Sequence, residues 1–214
     1  ATTEIYTFPY TTLFRSDGEM FASLGLYALT VVITLFLIAF IFYPVLLKLI
    51  VKYNIKDFLK GVFPIQLMAF STSSSAATLP FTMEHSQKAL GVPEETASFV
   101  FPVGTTINMD GTSAYQAVAI LFIAQIFGMD LSFAQILSVV FLTVLASIGT
   151  PGVPGASVVM TVMVLTTVGI PAEGLVLILG IDRPLDMLRT VVNVTGDVFV
   201  AKLVQPKQTQ QQPE

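Results

Sequence analysis

Apolar residues run along this chain in stretches of very unequal length, separated mostly by glycine, proline, serine and asparagine rather than by charge. Residues 24–50 are almost wholly apolar and predict a helix long enough to cross a bilayer, which takes about 20 residues. The stretches after it are shorter. Residues 62–70 stop at Ser71-Thr72-Ser73-Ser74-Ser75, and a second short arm ends near Glu84. Residues 97–107 break at Asn108-Met109-Asp110-Gly111-Thr112 and resume over 114–127. Residues 133–148 and 158–170 flank the run Gly149-Thr150-Pro151-Gly152-Val153-Pro154-Gly155. A last long segment covers residues 175–203, and the polar tail 205–214 has too little apolar surface to order itself, so a disordered cytoplasmic tail is expected.

Short apolar runs joined in pairs by turn formers predict an all-α integral membrane protein with two re-entrant helical hairpins and a broken helix. Unpaired backbone in hydrocarbon costs several kcal/mol per group, so such breaks survive only inside protein or along a wet cavity. Secondary transporters build binding sites from interruptions of this kind. Lysine placement sets an orientation. Lys48, Lys52, Lys56 and Lys60, then Lys88, then Lys202 and Lys207 form three groups that the positive-inside rule assigns to the cytoplasm. The Ser-rich hairpin then opens inward, the Gly/Pro hairpin dips in from outside, and the C-terminus is cytoplasmic. The outer loops carry Asp130 and Glu173 and no lysine or arginine.

Composition supports that picture. Of 214 residues, 54% are hydrophobic and 11% charged, against about a quarter charged in a soluble domain, and mean hydropathy is +0.80. A net charge of −4 offers nothing to a nucleic-acid backbone. With no cysteine and one histidine, His85, disulfides and thiolate metal sites are excluded and a zinc site is not expected. No nucleophile–base pair is visible, so an enzyme is not expected. Residues 8–16 read FPYTTLFRS, which back-translates without mismatch to a common sequencing-adapter primer. Residues 1–20 are therefore expected to be a leader that is in part such an artefact, on a fragment of a longer protein, and are set aside from the fold. An ordinary polar leader is the alternative.

The final segment carries the strongest chemistry. Asp182, Asp186, Arg189, Asn193 and Asp197 follow at spacings of four, three, four and four, which at 3.6 residues per turn makes one stripe on one helix face. A charge at bilayer depth costs at least ~2.5 kcal/mol and normally marks an ion or substrate path. Arg189 pairing with Asp186 or Asp182 merely to make the helix insertable is the structural alternative, but five polar groups in register exceed what one ion pair needs. The break at 108–112 adds Asn108, Asp110 and Thr112, hard oxygen ligands beside unwound carbonyls; capping of the second half-helix is the plainer role and does not exclude the first. Ser73, Ser74 and Ser75 place hydroxyls and backbone N–H groups near a half-helix N-terminus, which favours a carboxylate. Alone, a Ser-rich turn is more often only a hairpin tip.

Four motifs in this order resemble the dicarboxylate/amino acid:cation symporter family, which includes the glutamate/aspartate transporters. They are STSSSAATLP at 71–80, GTTINMDGT at 104–112, ASIGTPGVPG at 146–155 and DRPLDMLRTVVNVTGD at 182–197. The resemblance implies a transport-domain portion over residues 21–204: helix 6, hairpin 1, helix 7, hairpin 2 and helix 8 of a domain that moves across the cell membrane. It also implies that the full-length protein is a homotrimer and that the helices building the trimer scaffold are missing here.

The same resemblance implies residue roles. Asp186 would bind the substrate ammonium and Arg189 its side-chain carboxylate, assisted by Thr190, Asn193 and Thr112. Ser74 and Ser75 would hold the α-carboxylate, and the backbone around Gly152 and Val153 would close over it. One sodium would sit among the carbonyls of Gly104, Asn108 and Asn193 and the carboxylate of Asp197. A second would use carbonyls near Thr106, Ser147, Ile148 and Thr150, and a third Asn108 and Asp110 with partners on an absent helix. Many family members carry a further arginine just before the hairpin-1 serines or directly after the substrate-binding aspartate. Ser73 and Met187 stand there in this chain, Arg183 lies beside Asp182 instead, and Pro151 stiffens the second tip.

The implied function is sodium-coupled symport of acidic amino acids. Proton coupling or a C4-dicarboxylate substrate is the runner-up, and Asp186 argues against the latter because a dicarboxylate has no ammonium. A channel-like subunit, which would not need an Asp and an Arg gripping opposite ends of a zwitterion, and a non-functional truncated fragment are the remaining readings.

Overall fold

Local chemistry at the chain's interruptions decides where each helix starts and stops. In the structure, a computed structural model that describes residues 17–206, every element is helical. The adapter-like stretch 8–16 and residues 207–214 of the tail lie outside the described residues. Helix α1 (Asp17–Leu37) passes through one π turn (Ile38–Phe42) into α2 (Tyr43–Val51). Pro44 explains the wide turn: it lacks an N–H and its ring crowds the carbonyl four residues back, so the ladder loosens just before it. Tyr43 N–H accordingly donates to Ile38 O, five residues away. The unit α1–α2 is apolar and long enough to span a membrane.

The first hairpin pairs α3 (Ile55–Thr72) with α4 (Ser75–Leu90). Its first arm starts seven residues before the apolar run, because Asn54 Oδ1 accepts the Lys56 N–H and caps the helix out in the polar segment. The arm ends where Ser73 turns left-handed (φ 51°) and Ser74 caps α4 through the Ala77 N–H. Helix α5 (Glu94–Ile107) follows Gly91 and Pro93, and the break at Asn108-Met109 separates it from α6 (Asp110–Ile126). The second hairpin pairs α7 (Phe133–Ile148), opened by a Ser132/Gln135 capping box, with α8 (Ala156–Thr167). A 3-10 turn (Ala172–Gly174) leads into α9 (Leu175–Val204).

Helix α9 is the hub, packed by α1 to α6. From Arg189 to Phe199 every residue of it is buried. Around this hub polar side chains are buried among an apolar core while large apolar side chains face outward. Buried positions include Gln66, Thr78, Gln116, Thr161, Asp182, Asp186, Arg189, Asn193 and Asp197, while Leu26, Phe36, Leu49, Phe63, Phe99, Phe133, Phe141 and Val159 point outward. An apolar exterior around a polar interior is what hydrocarbon selects, since it has no water to satisfy polar groups. Buried polar groups find partners across elements, as where Gln66 Nε2 of α3 donates to Thr195 Oγ1 of α9 at 3.0 Å.

Candidate functional site: two hairpin tips over a buried ion pair

The two tips hold each other. Ser74 Oγ donates to Gly152 O at 2.7 Å, and Ala76 N–H donates to the same carbonyl at 3.1 Å. One carbonyl of the second tip thus satisfies a hydroxyl and a backbone N–H at the start of α4, the latter a group that a helix N-terminus otherwise leaves unpaired. Ser73 and Ser75, Met109 and Thr112, Thr150 to Val153, Ser157, Asp186, Thr190 and Asn193 enclose a cavity of about 20 Å³ beneath them. That is room for about one water or small ion.

Arg189 is 1% exposed. Its Nη2 donates to Asp186 Oδ1 at 2.9 Å and lies 3.2 Å from Asp182 Oδ1, and its Nη1 donates to Ser157 Oγ at 2.7 Å. The guanidinium carbon stands 3.9 Å over the centroid of the Tyr115 ring, a cation–π contact. The second oxygen of Asp186 accepts the Gly155 N–H at 3.2 Å and lies 3.5 Å from Arg183 Nη1. Arg183 therefore reaches the site's edge, but it is 60% exposed on its side chain, where an ion pair contributes ~0–1 kcal/mol. Asp186 is bound on one side by its own helix and on the other by the second hairpin tip.

The broken helix meets α9 just below. Asn193 bridges the break: its Oδ1 accepts the Gly111 N–H at 2.8 Å and its Nδ2 donates to Thr112 Oγ1 at 3.2 Å. This approach requires glycine. A Cβ at 111 would lie 2.6 Å from Arg189 O and 2.8 Å from Val192 Cβ. Asn108 Nδ2 donates to Asp197 Oδ1 at 2.8 Å and reaches Asn193 O at 3.4 Å. Gly104 faces the Asp197 carboxylate so closely that a Cβ there would collide with it. Asp110 Oδ2 accepts from the Tyr43 hydroxyl at 2.5 Å. The buried carboxylate of Asp197 and the main-chain carbonyl of Asn193, both facing the Asn108 amide nitrogen, are hard oxygens of the kind an alkali cation takes.

Of the residues expected for substrate, Ser75, Thr112, Gly152, Val153, Asp186, Thr190 and Asn193 line one cavity, Ser74 clamps its roof, and Arg189 is tied to Asp186. Gly104, Asn108, Asn193 and Asp197 converge as a cluster, and Asp110 is joined to its edge by Tyr43, whose hydroxyl and the Asn108 amide nitrogen would both lie 2.7 Å from a Cβ at Gly196. The expected carbonyls near Thr106, Ser147, Ile148 and Thr150 belong to segments that meet: α5 touches α7, and a Cβ at Gly152 in the second tip would stand 3.0 Å from Thr105 O. The Thr106, Ser147 and Thr150 hydroxyls each bond backward into their own helix, and Ile148 is 44% exposed. Reasoning from sequence missed Ser157, Tyr115 and Tyr43. The first two lie on other helices than the stripe, and no spacing along the chain relates them to Arg189.

The fold and site together define a class: an all-helical protein whose broken helix and two hairpin tips converge on charges buried in one long helix. Comparison with known proteins agrees. The sodium:dicarboxylate symporter family matches residues 4–206. The chain is 45% identical over 189 residues to excitatory amino acid transporter 3 of Mus musculus, covering 88% of this chain and 36% of that protein. It is 42% identical over 189 residues to excitatory amino acid transporter 2 of Homo sapiens, covering 88% and 33%. To excitatory amino acid transporter 5 of Mus musculus it is 44% identical over 181 residues, covering 85% and 32%. This chain belongs to the sodium:dicarboxylate symporter family, and it spans about a third of the length of the curated relatives it matches.

Proposed function

We propose that the complete protein is a sodium-coupled symporter of acidic amino acids in the cell membrane, and that this chain carries its substrate site. The observation that carries this reading is the buried Asp186–Arg189 pair beneath two interlocked hairpin tips. Arg189 offers a planar fork that matches a carboxylate. Asp186, one helical turn earlier, offers the opposite charge for an ammonium, and an acidic amino acid carries both groups. Ser74 and Ser75 at the start of α4 suit the α-carboxylate, with Thr112, Thr190 and Asn193 completing the walls and the backbone of Gly152 and Val153 closing above.

Sodium is the co-transported ion in this reading. Gly104, Asn108, Asn193 and Asp197 would hold one ion, and Asn108 and Asp110 would serve another with partners outside this chain. Carbonyls near Thr106, Ser147, Ile148 and Thr150 would form a further site. Asn193 touches both the substrate wall and the cation cluster, so the two ligands would be reciprocally coupled through it. The cavity is far smaller than an amino acid, so the Gly152 tip must lift for substrate to pass. Homotrimeric assembly, a cytoplasmic C-terminus and the inward-opening first hairpin belong to the same proposal.

The test is calorimetric binding of L-aspartate to the complete purified protein, first in sodium and then in potassium or choline. Binding that appears only with sodium supports substrate class and coupling ion together. Equal binding in all three, or binding that follows pH alone, refutes sodium coupling in favour of protons. Tight succinate binding in place of aspartate refutes the amino-acid reading.

A further inference from the structure

Arg189 has three hydrogen-bond or ion-pair partners, and one of them is neutral and comes from the second hairpin. Nη2 serves the carboxylates of Asp182 and Asp186, while Nη1 donates to Ser157 Oγ, and Nε has no hydrogen-bond partner. An arriving carboxylate is repelled from the Nη2 side, where two acids already stand. It is drawn to the Nη1 side, where the hydrogen-bond partner is a neutral hydroxyl, that of Ser157. Ser157 is 4% exposed and lines the same cavity as Asp186 and Thr190.

The serine is also held in place. It lies in the first turn of α8, and its carbonyl accepts from Gln116 Nε2 of α6 at 3.3 Å and from Thr161 Oγ1 at 2.8 Å. A hydroxyl has one proton to give and two lone pairs to offer. Ser157 spends a lone pair on Arg189, which leaves its proton for a second acceptor.

We propose that Ser157 is a specificity-determining residue for carboxylate side chains: it holds Nη1 of Arg189 in line and donates its own proton to the substrate carboxylate that Arg189 grips. Because Ser157 rides on the gate hairpin and Arg189 on α9, the bound carboxylate is shared between the moving gate and its seat. This rests on the acidic amino acid reading above.

The experiment is sodium-driven uptake of L-aspartate by the full-length protein in proteoliposomes, comparing wild type with Ser157→Ala and Ser157→Thr. A hydrogen bond to a charged group is lost in the alanine variant, so its KM for L-aspartate should rise about tenfold or more while kcat stays within about twofold. Threonine keeps the hydroxyl and should restore KM to within about threefold. Calorimetric sodium binding in the absence of substrate reports that each variant is folded. Unchanged KM in Ser157→Ala, or a threonine variant as impaired as alanine while still binding sodium, overturns the role of Ser157 and leaves the substrate reading standing. Wild type that takes up no acidic amino acid overturns both.

Discussion

Gly111 is the point where the broken helix touches α9, and adding one methyl there should disable the site without removing any charged group. A Cβ at 111 would meet Arg189 O at 2.6 Å, Val192 Cβ at 2.8 Å and Asn193 Oδ1 at 3.1 Å. The first of these atoms is helix backbone and has no rotamer by which to yield. Overpacking of this kind costs ~1–3 kcal/mol. If α6 backs away instead, the 2.8 Å bond from Gly111 N–H to Asn193 Oδ1 is lost, and a buried acceptor left unpaired costs ~1–3 kcal/mol. By either route Gly111→Ala should lose ~1–3 kcal/mol, seen as a fall of about 2 °C or more in thermal midpoint. Displacement reaches the guanidinium and Asn193 together, so L-aspartate affinity should fall as well. Gly180→Ala is the control: it lies on the same helix with nothing within 4 Å of a new Cβ, and should be neutral or gain up to ~1 kcal/mol. The assay is thermal unfolding of the complete protein in detergent, with calorimetric L-aspartate binding on the same samples. Gly111→Ala that melts and binds like wild type would refute the close approach and the coupling built on it.

Two further outcomes follow from the ion pairs and the buried lysine. Asp186→Ala and Arg189→Ala should each abolish L-aspartate binding in the complete protein, because each leaves the other charge buried with a partner missing; tight binding retained in both would remove the site assignment. Lys202→Met should lower stability by ~1–3 kcal/mol, since Lys202 Nζ donates to Leu90 O at 2.8 Å and lies over the Tyr53 ring, tying α9 to the end of the first hairpin. An unchanged thermal midpoint for that variant would show that the tie contributes nothing.

Much of the site was legible because its signals are local. The stripe from Asp182 to Asp197 depends only on helical period, and the structure keeps it on α9 facing the broken helix and the tips. The breaks at 71–75, 108–112 and 149–155 were readable from residue type, and each is a real interruption between helices. Helix ends were less legible where hydropathy is silent. The first hairpin arm begins at Ile55 rather than at the apolar run because Asn54 caps it among polar residues, and capping is a hydrogen-bond matter that apolar counting does not register. The π turn at Ile38–Phe42 lay inside an unbroken apolar stretch, with only Pro44 to announce it.

By itself the sequence determined the helical class, the places where helices break, the family motifs and which face of the last helix is charged, since each follows from periodicity or residue chemistry within a short window. Tertiary structure alone decided what those charges touch. It set Arg189, whose pairing with Asp186 on its own helix the spacing already suggests, against Ser157 and the Tyr115 ring, placed Tyr43 on Asp110, and made Gly152 O the shared acceptor of the first tip. Such pairings depend on how separate helices cross and how far each is rotated about its axis. Those are properties of the packed bundle, and no spacing along one helix encodes them.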